Sequence, residues 1–297
     1  MQLFFPNSEL QPTTRAPYFT YFLLFLLALY AALIIVSFFS AALAKKLEYG
    51  GWFYTGAILF LTGLNIFTSK LAVPPVMYFP SLDRVFGALF DDRRLLLKCL
   101  AHSGRLLFFG YFGGSIVGLF TGVGIGFSKR LSYWLSPVIR LIGPIPSTVW
   151  IPLMLIVFPT AVSASAFIIA LAVWFPVTLM TSSGIANVPQ SYFDAGSTLG
   201  AGRFVRVVKI GVPASMPHIF LGLFNGACSS FITLITAELI GAKYGLGWYV
   251  NWEREMLSYS NVYAGLIVVA LVFFLLVTGL FKVRDKFLGW QKGVIKW

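Results

Sequence analysis

Between residues 187 and 213 the chain reads NVPQSYFDAGSTLGAGRFVRVVKIGVP, with Asp194, Arg203, Arg206 and Lys209 in the longest polar interruption of its second half. One carboxylate and three cations, without His or Cys, suit charge contacts and hydrogen bonds to another body rather than covalent or metal chemistry. Reactive residues are sparse elsewhere. His102 and His218 have no acid, Cys or second His at ligand spacing, so both read as structural and no metal site is expected. No Ser/His, paired-Asp or His/Glu constellation is present, which argues against an intramembrane enzyme. Cys99 and Cys228 make no disulfide framework, and Cys228 lies in an apolar run as a small packing residue. GVGIGFSK at residues 122–129 lacks the Gly-x4-Gly-Lys-Ser/Thr spacing of a phosphate loop. Neither nucleotide nor another cofactor is therefore expected on this chain.

The loop must be held by short helices. Asn187 can cap a helix over residues 190–199, with Pro189 at its first position. Gly200 stands where a left-handed residue ends a helix. A second short helix fits residues 203–209, and Pro213 opens the next apolar span. Ala195, Gly196, Gly200, Ala201 and Gly202 would let a second body approach closely.

The composition is 58% hydrophobic and 11% charged, against about a quarter charged in globular chains, so this is a polytopic all-α membrane protein. The net charge of +12 sits in short segments between apolar runs, which points to topology and anionic lipid and not to nucleic acid. The first apolar run is too long, and lacks the basic flank, for a cleavable signal peptide. Seven spans are expected, at residues 18–44, 49–69, 106–128, 136–158, 164–186, 214–237 and 262–281. Residues 1–17 read as a short disordered tail, and 81–90 and 95–101 as short surface helices. The C-terminal KVRDKFLGWQKGVIKW, with Phe287, Trp290 and Trp297, suits an interfacial anchor. With residues 187–213 and the C-terminus inside and the N-terminus outside, inner segments hold thirteen Lys plus Arg and outer ones eight.

Three span features bear on function. Gly110, Gly114, Gly118, Gly122 and Gly126 recur every fourth residue, a groove for close helix packing. Pro144, Pro146 and Pro152 lie inside the fourth span, where they kink the helix and free backbone carbonyls. Asn225, Ser229, Thr233 and Thr236 share a helix face. Ser147, Asn225, Ser229 and Thr233 are candidates for a translocation path, although interhelical hydrogen bonding explains the polar face equally well. Glu238 at the end of that span should reach the interface or pair with a cation.

The 187–213 segment resembles the cytoplasmic coupling loop of permease subunits of ATP-binding-cassette (ABC) importers. Asp194, Ala195 and Gly196 stand at the Glu-Ala-Ala places, Gly200 at the Gly, Ile210 at the Ile, and Val212 and Pro213 at the Leu-Pro. VPPVMYFPS, GPIPSTVWIPL and AELIGAKYGLGW look like the branch that takes up nitrate, sulfonates, taurine and bicarbonate. The resemblance covers roughly residues 65–285. It implies a MetI-like core with one extra N-terminal helix, so residues 1–50 would carry that helix, 51–285 the permease domain and 286–297 a basic tail. It also implies a bacterial inner-membrane homodimer, a cytoplasmic ATPase dimer that holds the ATP-Mg, and an extracytoplasmic solute-binding protein. Asp194, Ala195, Gly196, Gly200, Arg203, Arg206 and Pro213 would then couple to the ATPase. The alternative is a stand-alone secondary transporter or channel, against which the lack of clear intramembrane charges counts.

Overall fold

The computed structural model describes residues 8, 11, 14, 16–39 and 41–289. Residues 290–297 of the expected interfacial anchor and most of the N-terminal tail lie outside them. The helices are α1 (Tyr18–Ser37), α2 (Ala41–Asn65), α3 (Leu82–Asp91), α4 (Arg93–Phe127), α5 (Lys129–Ile142), α6 (Ile151–Val157), α7 (Ala161–Ala186), α8 (Gln190–Thr198), α9 (Arg203–Val205), α10 (Val212–Gly241), α11 (Leu246–Glu255) and α12 (Tyr259–Phe287). Six helical segments among the described residues are long and apolar enough to cross a membrane, and a bent pair supplies a seventh crossing if counted as one. The chain divides into two compact units, residues 1–97 with 249–268, and residues 98–248 with 269–297.

In the first unit α1 docks on the amphipathic α3. The Phe19 N–H donates to the Asp83 carboxylate at 2.8 Å, and Phe22 stacks on Phe86 with ring centroids 4.8 Å apart. Asp83 is 4% exposed, and burial pushes its carboxyl above the usual range, outweighing the Phe19 N–H and Lys70, which pull it down. Parts of the tail expected to be disordered are held here. Ser8 N–H donates to the Ser69 carbonyl at 3.0 Å, and Gln11 Nε2 donates to the Thr68 carbonyl at 3.0 Å.

The second unit is built on α4, α7, α10 and the C-terminal part of α12. The five glycines of α4 face α7. A Cβ at any of them would lie under 3.0 Å from α7 atoms, against Ile169, Ala170, Val177, Thr181 and Ile185 in turn. The two helices thus run parallel at backbone contact, where dispersion forces supply the attraction. The α10 helix runs antiparallel to α7, with Gly222 against Met180 and Gly184 against His218. Phe224 stacks on Phe281 and Phe231 meets Phe273, so α12 returns antiparallel to α10.

Three expectations are corrected. No separate helix covers residues 95–101; α4 runs unbroken from Arg93 to Phe127, because RRLLLKCLAHSGR contains no proline and no capping break. Residues 136–158 do not form one straight helix. They divide between α5 and the segment Ser147–Val157, which are bent by 84°. Gly143, Pro144 and Pro146 explain the bend: each proline removes a helical donor, and Gly143 lies so close to the Phe175 ring that no side chain would fit. The short helix at 203–209 is not separate either. It merges into α10 through a π-helical turn, Arg206–Gly211. The wider turn accommodates Pro213, whose ring would clash with the carbonyl four residues back in a regular α-helix.

Candidate functional site

The 187–213 loop is a compact turn between α7 and α10. Pro189 is the N-cap of α8, with extended backbone and no side-chain cap. Asn187 instead ends α7, a correction that follows from the one turn of chain Val188 and Pro189 need to reverse direction. Gly200 has φ +79°. Its N–H donates to the Ser197 carbonyl at 3.0 Å, and the Ala201 N–H donates to the Gly196 carbonyl at 2.9 Å. This double bond pattern closes the C-terminus of α8. Gly196 is buried against the Ile210 side chain, with no room for a Cβ. Arg206 donates to Ser197 Oγ at 3.0 Å and Arg203 to the Phe127 carbonyl at 3.2 Å, so both arginines brace the loop. Asp194 is exposed and accepts from Gln190 Nε2 at 3.1 Å. Ala195 is exposed beside it, and Pro213 lies in the first turn of α10. The loop also exposes Leu199 (87%), Phe204 (78%) and Tyr192 (55%). The sequence does not show this apolar face, because only the fold brings Tyr192, Leu199 and Phe204 to the surface of one turn.

The ends of the spans are ordered by this loop. Phe127, the last residue of α4, meets Phe193 at 5.7 Å and packs on Gly211. α4 therefore ends where α7 ends, and since the two run parallel, residues 128–160 must recross. They do so through the bent pair.

At the bend lies a cavity of about 340 Å³, lined by Ile142, Gly143, Ile145, Pro146, Ser147 and Thr148 on one side and by α7 and α10 residues on the other, among them Trp174, Phe175, Ser229 and Thr233. Three of the four path candidates meet here. Ser147 Oγ and Thr233 Oγ1 are 2.7 Å apart in a hydrogen bond, and Ser229 lies one turn below Thr233 on α10. Asn225 is not in the lining. Thr148, Trp174 and Phe175 were missed, because hydroxyls and aromatics inside apolar runs carry no sequence signal of facing a void.

Glu238 pairs with no cation among the described residues. It is fully buried; Oε1 accepts from Ser103 Oγ at 2.6 Å and Oε2 from the Gly247 N–H at 2.8 Å. Ser103 Oγ in turn accepts from the Leu246 N–H at 2.8 Å. Gly245, at φ +148°, lies against the carboxylate where a Cβ would collide. KYGLGW is thus part of a cradle in which two donors, Ser103 Oγ and the Gly247 N–H, meet the buried carboxylate, while the Leu246 N–H orients the serine.

With this geometry in view, the relatives are informative. The family model for the inner membrane component of binding-protein-dependent transport systems matches residues 114–287. This chain belongs to that family. Among its relatives, the taurine transport system permease protein TauC of Escherichia coli is 30% identical over 77% of this chain and 83% of its own. The bicarbonate transport system permease protein CmpB of Synechococcus elongatus is 26% identical over 78% and 80%. The matched region holds the glycine ladder from Gly114, the cavity, Glu238 and the whole 187–213 loop. Among solved structures, a chain of the inward-facing MetNI methionine ABC transporter superposes with TM-score 0.58 at 15% identity, covering 66% of this chain and 97% of that one. That likeness carries the family's all-α fold. A binding-protein-dependent inner-membrane component is a transport permease, and this chain is one.

Proposed function

We propose that this permease forms the translocation path of an ATP-driven importer for a small anionic solute, and that its 187–213 loop docks on a separate cytoplasmic ATPase. The observation that carries the reading is the loop itself: a closed turn, braced by Arg203 and Arg206, that presents Leu199, Phe204 and Tyr192 to solvent. Exposed apolar side chains on a rigid turn mark a surface made for a protein partner. Asp194 and Ala195 lie on the exposed side of α8 beside this patch. Gly196 and Gly200 keep the turn tight, and Pro213 transmits its position to α10. ATP-Mg belongs on that ATPase, so the chain itself needs no cofactor. The pore is completed by a second copy of this chain, and a solute-binding protein delivers cargo on the other face. In this orientation the loop and the end of α12 are cytoplasmic and the N-terminus is outside a bacterial inner membrane. The relatives named for taurine and bicarbonate support a cargo that carries an oxyanion group. Reconstitution with the ATPase and binding protein in liposomes tests this: uptake should require ATP on the ATPase side, and uptake driven by an ion gradient without ATP would refute it.

A further inference from the structure

We infer that the cavity at the bend between α5 and α6 is a cargo site, and that it grips a small solute bearing one oxyanion group by neutral hydroxyl donors alone. The inference rests on the permease reading above. Four hydroxyls line the cavity, those of Ser147, Thr148, Ser229 and Thr233, and no Asp, Glu, Lys, Arg or His is among its walls. In the Ser147–Thr233 pair one proton is shared between the two oxygens, which leaves the other free to donate. The Ser229 and Thr148 hydroxyls form no hydrogen bond among the described residues, and both residues line the same void. Thr233 is 2% exposed and Ser147, Thr148 and Ser229 are half-buried, so water screens least at the Thr233 end of the donor set.

This donor set selects by charge. An oxyanion accepts several hydrogen bonds from hydroxyls without leaving any buried partner unsatisfied. A dianion would enter with no counter-charge and bear a desolvation cost that hydroxyls cannot offset. A solute whose only charge is positive would find no carboxylate, whereas a zwitterion such as taurine can enter by its sulfonate. The absence of a fixed cation also keeps the grip weak, which a path needs if cargo is to leave as readily as it enters. The volume of about 340 Å³ is roughly ten times the ~30 Å³ share of a water molecule, enough for a group of a few heavy atoms with a short apolar tail.

The apolar wall is fixed from outside the site. Trp174 Nε1 donates to Thr121 Oγ1 at 3.1 Å, and Thr121 shares a 2.7 Å hydrogen bond with Thr178. Thr121 stands on α4 between two ladder glycines and does not line the cavity, so it is a positioning residue for the indole. Ser229 and Thr233 set the head group, and Trp174 with Phe175 sets the room beside it.

The test uses the permease assembled with its ATPase and binding protein in proteoliposomes. The probes are labelled nitrate, bicarbonate and taurine, with sulfate as dianion and choline as cation. Wild type should take up at least one of the first three in an ATP-dependent manner. Ser229→Ala with Thr233→Val should lower that uptake by about tenfold or more, the loss expected when hydrogen bonds to an ionised group are removed. Thr233→Ser should retain most of it. Thr121→Val should raise the half-saturating concentration for taurine more than for nitrate, because only taurine has a tail to lie on the indole. If the double variant fails to assemble, Ser229→Ala alone decides by the same measure. Uptake unchanged by loss of the hydroxyls overturns the site, as does uptake of sulfate or choline or of no oxyanion in the panel. Wild-type uptake that needs no ATP would instead overturn the permease reading.

Discussion

At the scale of single residues, Glu238 illustrates how an unwelcome charge is held. Its carboxylate accepts from Ser103 and Gly247 while Gly245 makes room. Glu238→Ala would strand those buried donors, and each unsatisfied group costs about 1–3 kcal/mol. The variant should therefore melt well below wild type in detergent, with Glu238→Gln between them, as followed by intrinsic fluorescence. Asp83 makes a prediction about pH. Burial lifts its carboxyl above the ordinary value, so the folded state holds the proton more tightly than the unfolded chain. Its contribution is most favourable at low pH and declines as pH rises through the folded value. Asp83→Asn keeps an acceptor for the Phe19 N–H and removes the charge. Its melting temperature relative to wild type should rise between about pH 4 and about pH 7; a constant difference would mean that the carboxyl titrates alike in both states. Neither residue's partners were legible in the sequence, because Ser103 lies 135 positions from Glu238 and Phe19 lies 64 from Asp83.

At the scale of elements, periodicity spoke clearly where one physical cause dominated. Five glycines four residues apart can serve a helix only by close approach, and α7 lies against each of them. Gly118→Leu would drive a side chain into Val177 and the Trp174 carbonyl. Overpacking of this kind costs about 1–3 kcal/mol, so the variant should lose thermal stability while Gly113→Leu, with nothing near its Cβ, should not. Where two causes competed, the sequence misled. Hydropathy over residues 136–158 reads as a span, yet the prolines and the Gly143–Phe175 contact bend it by 84°. Residues 203–213 read as a helix, a stop and a new span, but a π turn carries the helix through. Removing its cause should matter to coupling: Pro213→Ala would let the turn relax to α-helix and rotate α9 about α10. Transport per ATP hydrolysed should fall, measured as the ratio of uptake to phosphate release in proteoliposomes.

At the scale of the whole molecule, the sequence made the class plain, through a charged fraction of only 11% in a chain of 297 residues. The spacing of Asp194, Ala195, Gly196, Gly200, Ile210 and Pro213 brought the family into view, and the match over residues 114–287 places the chain within it. The cavity was only half visible, since polarity nominated Ser147, Ser229 and Thr233 but could not separate them from Asn225. The first 50 residues add α1 and the start of α2. The central claim is that the braced loop with its apolar face holds the motor subunit. The most direct measurement is gentle purification of the tagged chain from its native membrane, with co-purifying proteins identified by mass spectrometry. Wild type should bring an ATPase in comparable amount, and both Gly200→Arg and the pair Leu199→Glu with Phe204→Glu should lose it while the permease remains monodisperse. A well-folded wild-type chain recovered without any ATPase, or variants that retain the ATPase at wild-type level, would contradict the account.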